Sequence, residues 1–279
     1  MNEKWNEIYK DEEIKHIQRI ELSSLKYFSD LCDKLNIEFY LYGGSLLGAI
    51  KYSGFVPWDD DLDIALQRKD YDKLIKLGPS LLSDEYELQH PSNNKLTPFS
   101  YIKFRRKDTS LVEFALHKIK MNHGVYFDIY PLDNLPENDE ELIRQHSKFS
   151  LVSRLFYYRQ VKYLSRPATN LKDLIKSVVR YGMSAILKLI PHSVFFKYIE
   201  KLMTRNNAMD SSRKGNFFHP TPFNYFEGIH PVKTVAFEDV QLKVPHGYEI
   251  NLLQRYGDIT KLPPENERYG HKAHIIKLN

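Results

Sequence analysis

A chain of 279 residues with 42% hydrophobic content has enough apolar material for one large or two modest buried cores. The lone cysteine, Cys32, excludes an internal disulfide and any cysteine-cluster metal site, and it suits a reducing compartment as a buried helix residue. The net charge of +4 hides an uneven distribution: residues 141–214 carry 15 Lys/Arg against 4 Asp/Glu, an excess of 11 that leaves the rest of the chain at −7.

The opening MNEKWNEIYKDEEIKHIQ is charged from its third residue and lacks the basic and then apolar stretches of a leader peptide. No run reaches the roughly 18 uninterrupted apolar residues of a membrane-spanning helix. The nearest, Met183 to Ile190, is short and contains Lys188. The expectation is a soluble, cytoplasmic chain, peripheral at most on the inner face of a membrane.

From Asp11 to Leu35 the apolar residues Ile14, Ile17, Ile20, Leu25, Phe28, Leu31 and Leu35 recur at three- and four-residue steps, which predicts an amphipathic helix. Glu38 to Tyr42 reads as a strand broken by Gly43 and Gly44. Ser45 can then cap a short helix from Leu46 to Tyr52. Pro57 bars continuation, and Asp61 to Leu66 alternates as a strand. A helix over Lys69 to Leu82 leads to strands at Tyr86 to His90, Ser100 to Arg106, Ser110 to Ala115 and Val125 to Tyr130, the last closed by Pro131. Strands interleaved with helices predict an α/β fold of the mixed, α+β kind, a mixed sheet covered by helices.

Between about Asp139 and Met209 the pattern becomes helical, at Glu140 to Tyr163, Leu171 to Ile190 and Ser193 to Met209, and the basic excess falls there. A hairpin, Thr234 to Phe237 with Val240 to Val244, and a helix near Tyr248 to Tyr256 follow. The stretch LPPENERYGHKAH reads as loop. These boundaries suggest a catalytic core at 1–138, a basic helical region at 139–214 and a C-terminal part, 215–279, that completes the core.

The chemistry concentrates in LYGGSLLGAIKYSGFVPWDDDLDIAL. On a strand Asp61 and Asp63 project to one side while Leu62 and Ile64 enter the core. Two carboxylates so placed repel unless a cation lies between them, and hard oxygen ligands suit Mg²⁺ or Mn²⁺. Asp59 would share their side if the extended chain begins that early, and Asp60 would point away. Gly43 and Gly44 let backbone N–H groups approach a phosphate, with the Ser45 hydroxyl at the positive end of the helix. A solvated turn is the alternative for the acidic run, but Asp-Leu-Asp within an apolar strand buries charge at high cost unless it is paired. Asp128, the polar interruption of VYFDIYPLD, is the candidate third carboxylate, as metal ligand, general base or both. Lys103 and Arg105 on one face of YIKFRR, and Lys51 after the glycine turn, are candidate phosphate binders.

With these residues in hand the chain resembles the LicD family of phosphotransferases, which includes the fukutin-related proteins and has a nucleotidyltransferase-like fold. The resemblance rests on GGSLLGAIKYSGFVPWDDDLDIA from Gly43, FDIYPLDNLP from Phe127, and RYGDITKLPP followed by His271. It implies Asp61, Asp63 and Asp128 as catalytic and metal-binding residues, with Asp59 as a neighbouring site residue and Gly44 and Ser45 lining the phosphate end. It further implies that His271 contacts substrate. The implied activity is Mg²⁺- or Mn²⁺-dependent transfer of a phospho-alcohol, phosphocholine above all, from a CDP-alcohol donor to a sugar hydroxyl. The acceptor would be a cell-surface or lipid-linked glycan such as lipopolysaccharide, teichoic acid or capsule. CDP-ribitol or CDP-glycerol as donor, and nucleotidyl transfer from an NTP, stay open.

A reading of another class is a binding protein docked through the basic block. Segment 171–209 mixes Leu174, Ile175, Val178, Met183, Ile186, Leu187 and Phe195 with Lys and Arg, and it suits either a membrane interface or a helical subdomain with a solvated basic face. No nucleic-acid recognition motif is present, and no nucleic-acid partner is expected.

Overall fold

The computed structural model describes residues 9–165, 168–270 and 273–277, the last five as backbone only. Helix α1 (Asp11–Leu35) leads into β1 (Phe39–Leu41), α2 (Gly43–Tyr52), β2 (Asp63–Gln67), α3 (Arg68–Leu77), β3 (Tyr86–Gln89), β4 (Ile102–Arg106), β5 (Ser110–Glu113) and β6 (Tyr126–Asn134). Three helices follow, α4 (Asp139–Gln160), α5 (Leu171–Leu187) and α6 (His192–Met203), and then strands β7 (Arg213–Gly215) and β8 (Tyr225–Glu227). The hairpin β9 (Lys233–Phe237) and β10 (Val240–Val244), helix α7 (Tyr248–Tyr256) and strand β11 (Ala273–Lys277) complete the chain.

The central sheet runs β1-β2-β6-β4-β3, with β7 and β8 joined to the far end of β6. Only β2 and β6 pair in parallel within it, so the sheet is mixed, as the alternation of strands and helices predicts. Helix α1 lies across one face because its apolar stripe, at three- and four-residue spacing, matches the flat apolar face of the sheet. There Phe28 meets Phe104 and Phe127 with ring centroids 5.3 and 5.4 Å away. Residues from β9, β10 and α7, among them Phe237, Val244 and Leu252, belong to the same core as α1 and the sheet.

Strand β6 runs through Pro131 instead of stopping before it. The Asp128 N–H donates to the Leu62 carbonyl at 2.9 Å, so residues 128, 130 and 132 turn their N–H groups toward β2. Pro131 therefore presents its missing donor on the opposite side, where the register with β4 has ended at Ile129 and that with β7 begins only at Asp133. Strands β7, β8 and β11 were not foreseen. The first two are three residues long, and β11 exists through pairing with β5, a partner far away in sequence.

Helices α4 and α6 close a second core around Leu142, Phe149, Phe156, Ile199 and Phe217. Arg68 ties this region to the sheet: its Nε and Nη2 donate to the two Asp133 carboxylate oxygens at 2.8 and 2.6 Å, and Nη1 reaches Glu200 at 3.1 Å.

Candidate active site

Register brings the chemistry-bearing residues together. Asp63 at the start of β2 stands opposite Asp128 on β6, and Asp128 stands opposite Lys103 on β4, so three polar side chains share one row across three strands. Lys103 Nζ donates to Asp128 Oδ1 at 2.7 Å, and the Tyr130 hydroxyl donates to Oδ2 at 3.1 Å. The ammonium also lies 3.5 Å from the centre of the Tyr126 ring. Both members of this ion pair are buried.

The glycine turn closes on the same row. Helix α2 begins at Gly43, not Leu46, and Tyr42 is its N-cap. Ser45 is therefore inside the first turn, and its hydroxyl accepts the Asp63 N–H at 2.7 Å instead of capping the helix. Gly43 has φ +54°, and a Cβ there would fall 2.1 Å from Asp63 Oδ2. A Cβ on Gly44 would fall 2.6 Å from Asp59 Oδ2. The two glycines thus permit the N-terminus of α2 to touch the acidic residues, and a Gly44 backbone hydrogen bond helps to hold the Asp63 carboxylate.

Strand β2 starts at Asp63, so Asp59, Asp60 and Asp61 lie in the loop before it. Gln18 on α1 fixes that loop by donating its side-chain N–H groups to the Val56 and Asp59 carbonyls at 3.2 and 2.8 Å. Asp61 remains beside Asp63 and Asp59 electrostatically. Asp60 is buried, and the Gly270 backbone packs against it, where a Cβ would meet Asp60 Oδ1 at 2.1 Å.

Burial, and next the charge on Asp61, push the Asp63 carboxyl up to about 8 against the opposing pull of Arg255. Burial and Asp61 likewise raise Asp59 well above the ordinary carboxylate range. A divalent cation relieves such repulsion, and a set of carboxylate oxygens at Asp61, Asp63 and Asp128 fits a hard ion such as Mg²⁺ or Mn²⁺. Among the described residues, no three acidic, histidine or cysteine side chains are already drawn to ligand distance, and Lys103 holds one oxygen of Asp128.

The remaining candidates fall in different places. Lys51 donates to the Ile259 and Lys261 carbonyls, pinning the loop after α7 beside the site. Arg105 is buried one pair further along β4, where its guanidinium donates to Gln89 Oε1 at 3.0 Å and the Gly124 carbonyl at 2.8 Å, away from the carboxylate row. His271 lies outside the described residues.

Two residues join the site that were not singled out beforehand. Arg255 on α7 places Nη2 4.0 Å from Asp63 Oδ2 and lies over the Tyr42 ring. Glu21 on α1 is buried with neither carboxylate oxygen hydrogen-bonded, and burial followed by Asp61, Asp60 and Asp59 raises it well above its usual range. Its signal was visible as the one acid on the apolar stripe between Ile17 and Leu25. Arg255 had only its place in RYGDITKLPP to mark it. Beside Gly44 and Asp59 a pocket of about 350 Å³ opens between α2 and the loop after α7, with Tyr52, Trp58, Tyr256 and Tyr269 on its walls.

A family model described as LicD/FKTN/FKRP, nucleotidyltransferase domain, matches residues 36–165, the span that holds Gly43, Asp61, Asp63, Lys103 and Asp128. The lipopolysaccharide cholinephosphotransferase LicD of Haemophilus influenzae is 25% identical over 264 residues, covering 93% of this chain and 97% of that protein. The chain is thus similar to LicD-family proteins, over residues 36–165 by the family model and over nearly its whole length by the Haemophilus influenzae protein. An uncharacterized Rickettsia prowazekii protein is 26% identical over 178 residues, 64% of this chain and 60% of its own length. An uncharacterized Rickettsia typhi protein is 31% identical over 115 residues, 41% of this chain and 35% of its own length. The family match spans the glycine turn and the acidic row, and Arg255 and the pocket's second wall come from residues beyond it.

Proposed function

We propose that the chain is a metal-dependent phosphotransferase that moves phosphocholine from a CDP-linked donor to a sugar hydroxyl of a cell-surface glycan. The observation that carries this proposal is the likeness, across nearly the whole of both chains, to a lipopolysaccharide cholinephosphotransferase. The side-by-side placement of Asp63 and Asp128 against the glycine turn supports it.

Asp61, Asp63 and Asp128 would hold Mg²⁺ or Mn²⁺, which when bound supplies positive charge to the donor diphosphate and the departing phosphate. The acceptor oxygen attacks the phosphorus that bears choline, the bond from that phosphorus to the bridging diphosphate oxygen breaks, and CMP leaves with the bond's electron pair. Asp128 takes up the hydroxyl proton as the new oxygen–phosphorus bond forms, and Lys103 orients its carboxylate. Arg255 offers a guanidinium to the donor phosphates next to Asp63. The backbone at Gly43 and Gly44 leaves room for those phosphates where any side chain would intrude.

Among the three donor alcohols, the pocket's aromatic residues support choline. The aromatic walls, Tyr52, Trp58, Tyr256 and Tyr269, suit a quaternary ammonium through cation–π attraction. Calorimetric titration with CDP-choline, CDP-ribitol, CDP-glycerol and CTP, each with and without Mg²⁺, tests the proposal. Selective, Mg²⁺-dependent binding of CDP-choline, with CMP released on turnover, is the expected result. Preference for CTP with release of pyrophosphate would replace it with nucleotidyl transfer.

A further inference from the structure

Helix α5 is built the wrong way round for a helix that packs on a protein core. Its buried residues are Asp173, Ser184 and Leu187, two of them polar. Leu171, Leu174, Ile175, Val178, Val179 and Ile186 instead face outward and are each between 54% and 72% exposed. At the α-helical repeat these six fall within one arc of about 140°, unbroken by any charged residue. Leu189, just past the helix end, is 82% exposed and extends the strip. Scattered exposed apolar residues are ordinary, but a continuous strip of this extent marks a contact surface.

Charge selects the occupant. Lys172 and Lys176 follow one edge of the apolar arc. On the other edge stand Lys188 and Tyr181, whose hydroxyl accepts a hydrogen bond from Lys162 Nζ at 2.7 Å. The acid of the helix, Asp173, is turned inward, where its backbone N–H caps onto Asn170. Lysines on both edges of an apolar strip match an apolar layer beneath an anionic surface, the arrangement of an anionic bilayer. A second copy laid face to face would set lysines against lysines at both edges. Among the described residues no helix is long and apolar enough to cross a membrane, so the contact is one that lies in the plane of the interface.

We infer that α5 is an in-plane membrane anchor, which seats its Leu171–Ile186 face among the acyl chains of an anionic bilayer while its flanking lysines bind lipid phosphates. The inference does not depend on the donor or the reaction. A glycan acceptor carried on a lipid would be met at that same surface.

Co-sedimentation of the full chain with vesicles of phosphatidylcholine, alone or mixed with phosphatidylglycerol, tests it. The chain binds the mixed vesicles, and binding weakens as salt is added. Ile175→Glu with Val178→Glu lowers vesicle affinity at least about tenfold. Lys172→Gln with Lys176→Gln lowers it by about thirtyfold on anionic vesicles and little on neutral ones. All four positions are solvent-exposed, so an unchanged thermal unfolding transition and unchanged turnover on a water-soluble acceptor accompany both variants. Absence of vesicle binding by the parent chain, or equal binding by the Ile175→Glu, Val178→Glu variant, overturns the inference. So does a concentration-dependent dimer that this variant dissociates, with no vesicle binding, because the occupant is then a second copy.

Discussion

Replacing Lys103 by methionine keeps most of the side-chain volume and removes the charge that faces Asp128. In the parent chain the pair is 2.7 Å apart, with the two side chains 3% and 7% exposed. Without the ammonium the Asp128 carboxylate keeps the Tyr130 hydroxyl at 3.1 Å but loses its paired cation, in a place that solvent scarcely reaches. Breaking a buried pair by removing one partner costs about 3–5 kcal/mol. For a chain of this size that lowers the melting temperature by about 6–20 °C. The reverse change, Asp128→Asn, costs less, because burial already holds the Lys103 amine below its ordinary range and it can shed its proton. The double variant, with no charge left, regains most of the loss. Urea unfolding of all four proteins in metal-free buffer near neutral pH measures the cycle. A cost below about 1 kcal/mol for Lys103→Met, or strict additivity of the two changes, would refute the view that this pair is a coupled buried unit.

Three further outcomes are expected. Gly43→Ala forces a side chain into a left-handed backbone position and onto Asp63 Oδ2, so it should lose about 1–2 kcal/mol of stability and most of its turnover; parent-like kinetics would mean that the turn is not part of the site. Asp61→Asn and Asp63→Asn should each abolish turnover while leaving the circular dichroism spectrum unchanged, and retained activity in both would remove the metal assignment. His90 is 2% exposed, and burial, with Arg68 next, lowers it to about 3. It therefore folds neutral, and the stability it protects is complete above the unfolded value near 6.5 and is lost as pH falls toward 3. Between pH 6.5 and 5 that amounts to about 2 kcal/mol, which His90→Asn should remove from the pH dependence measured by urea unfolding; an unchanged slope would exclude His90 as its source.

The sequence by itself determined the elements whose evidence is local. The three- and four-residue spacing from Ile14 to Leu35 marked out α1, and two short strand-like runs around Glu238-Asp239 marked out the hairpin before helix α7. The glycine pair, the acidic run and Asp128 stood out because each sets a polar or flexible residue where an apolar strand predicts otherwise. Tertiary structure decided which of them meet. Asp63 faces Asp128 only because β2 and β6 pair in parallel in that register, and Lys103 faces Asp128 while Arg105 stands opposite Tyr126 because of the register in which β4 pairs with β6. Ser45 became a partner of the Asp63 backbone, not a helix cap, and Arg255 reached Asp63 from α7, through contacts between segments far apart in the chain. The same limit applies to α5. Periodicity shows that a helix has an apolar face, but whether that face is covered depends on what packs against it, and here the protein covers the other one.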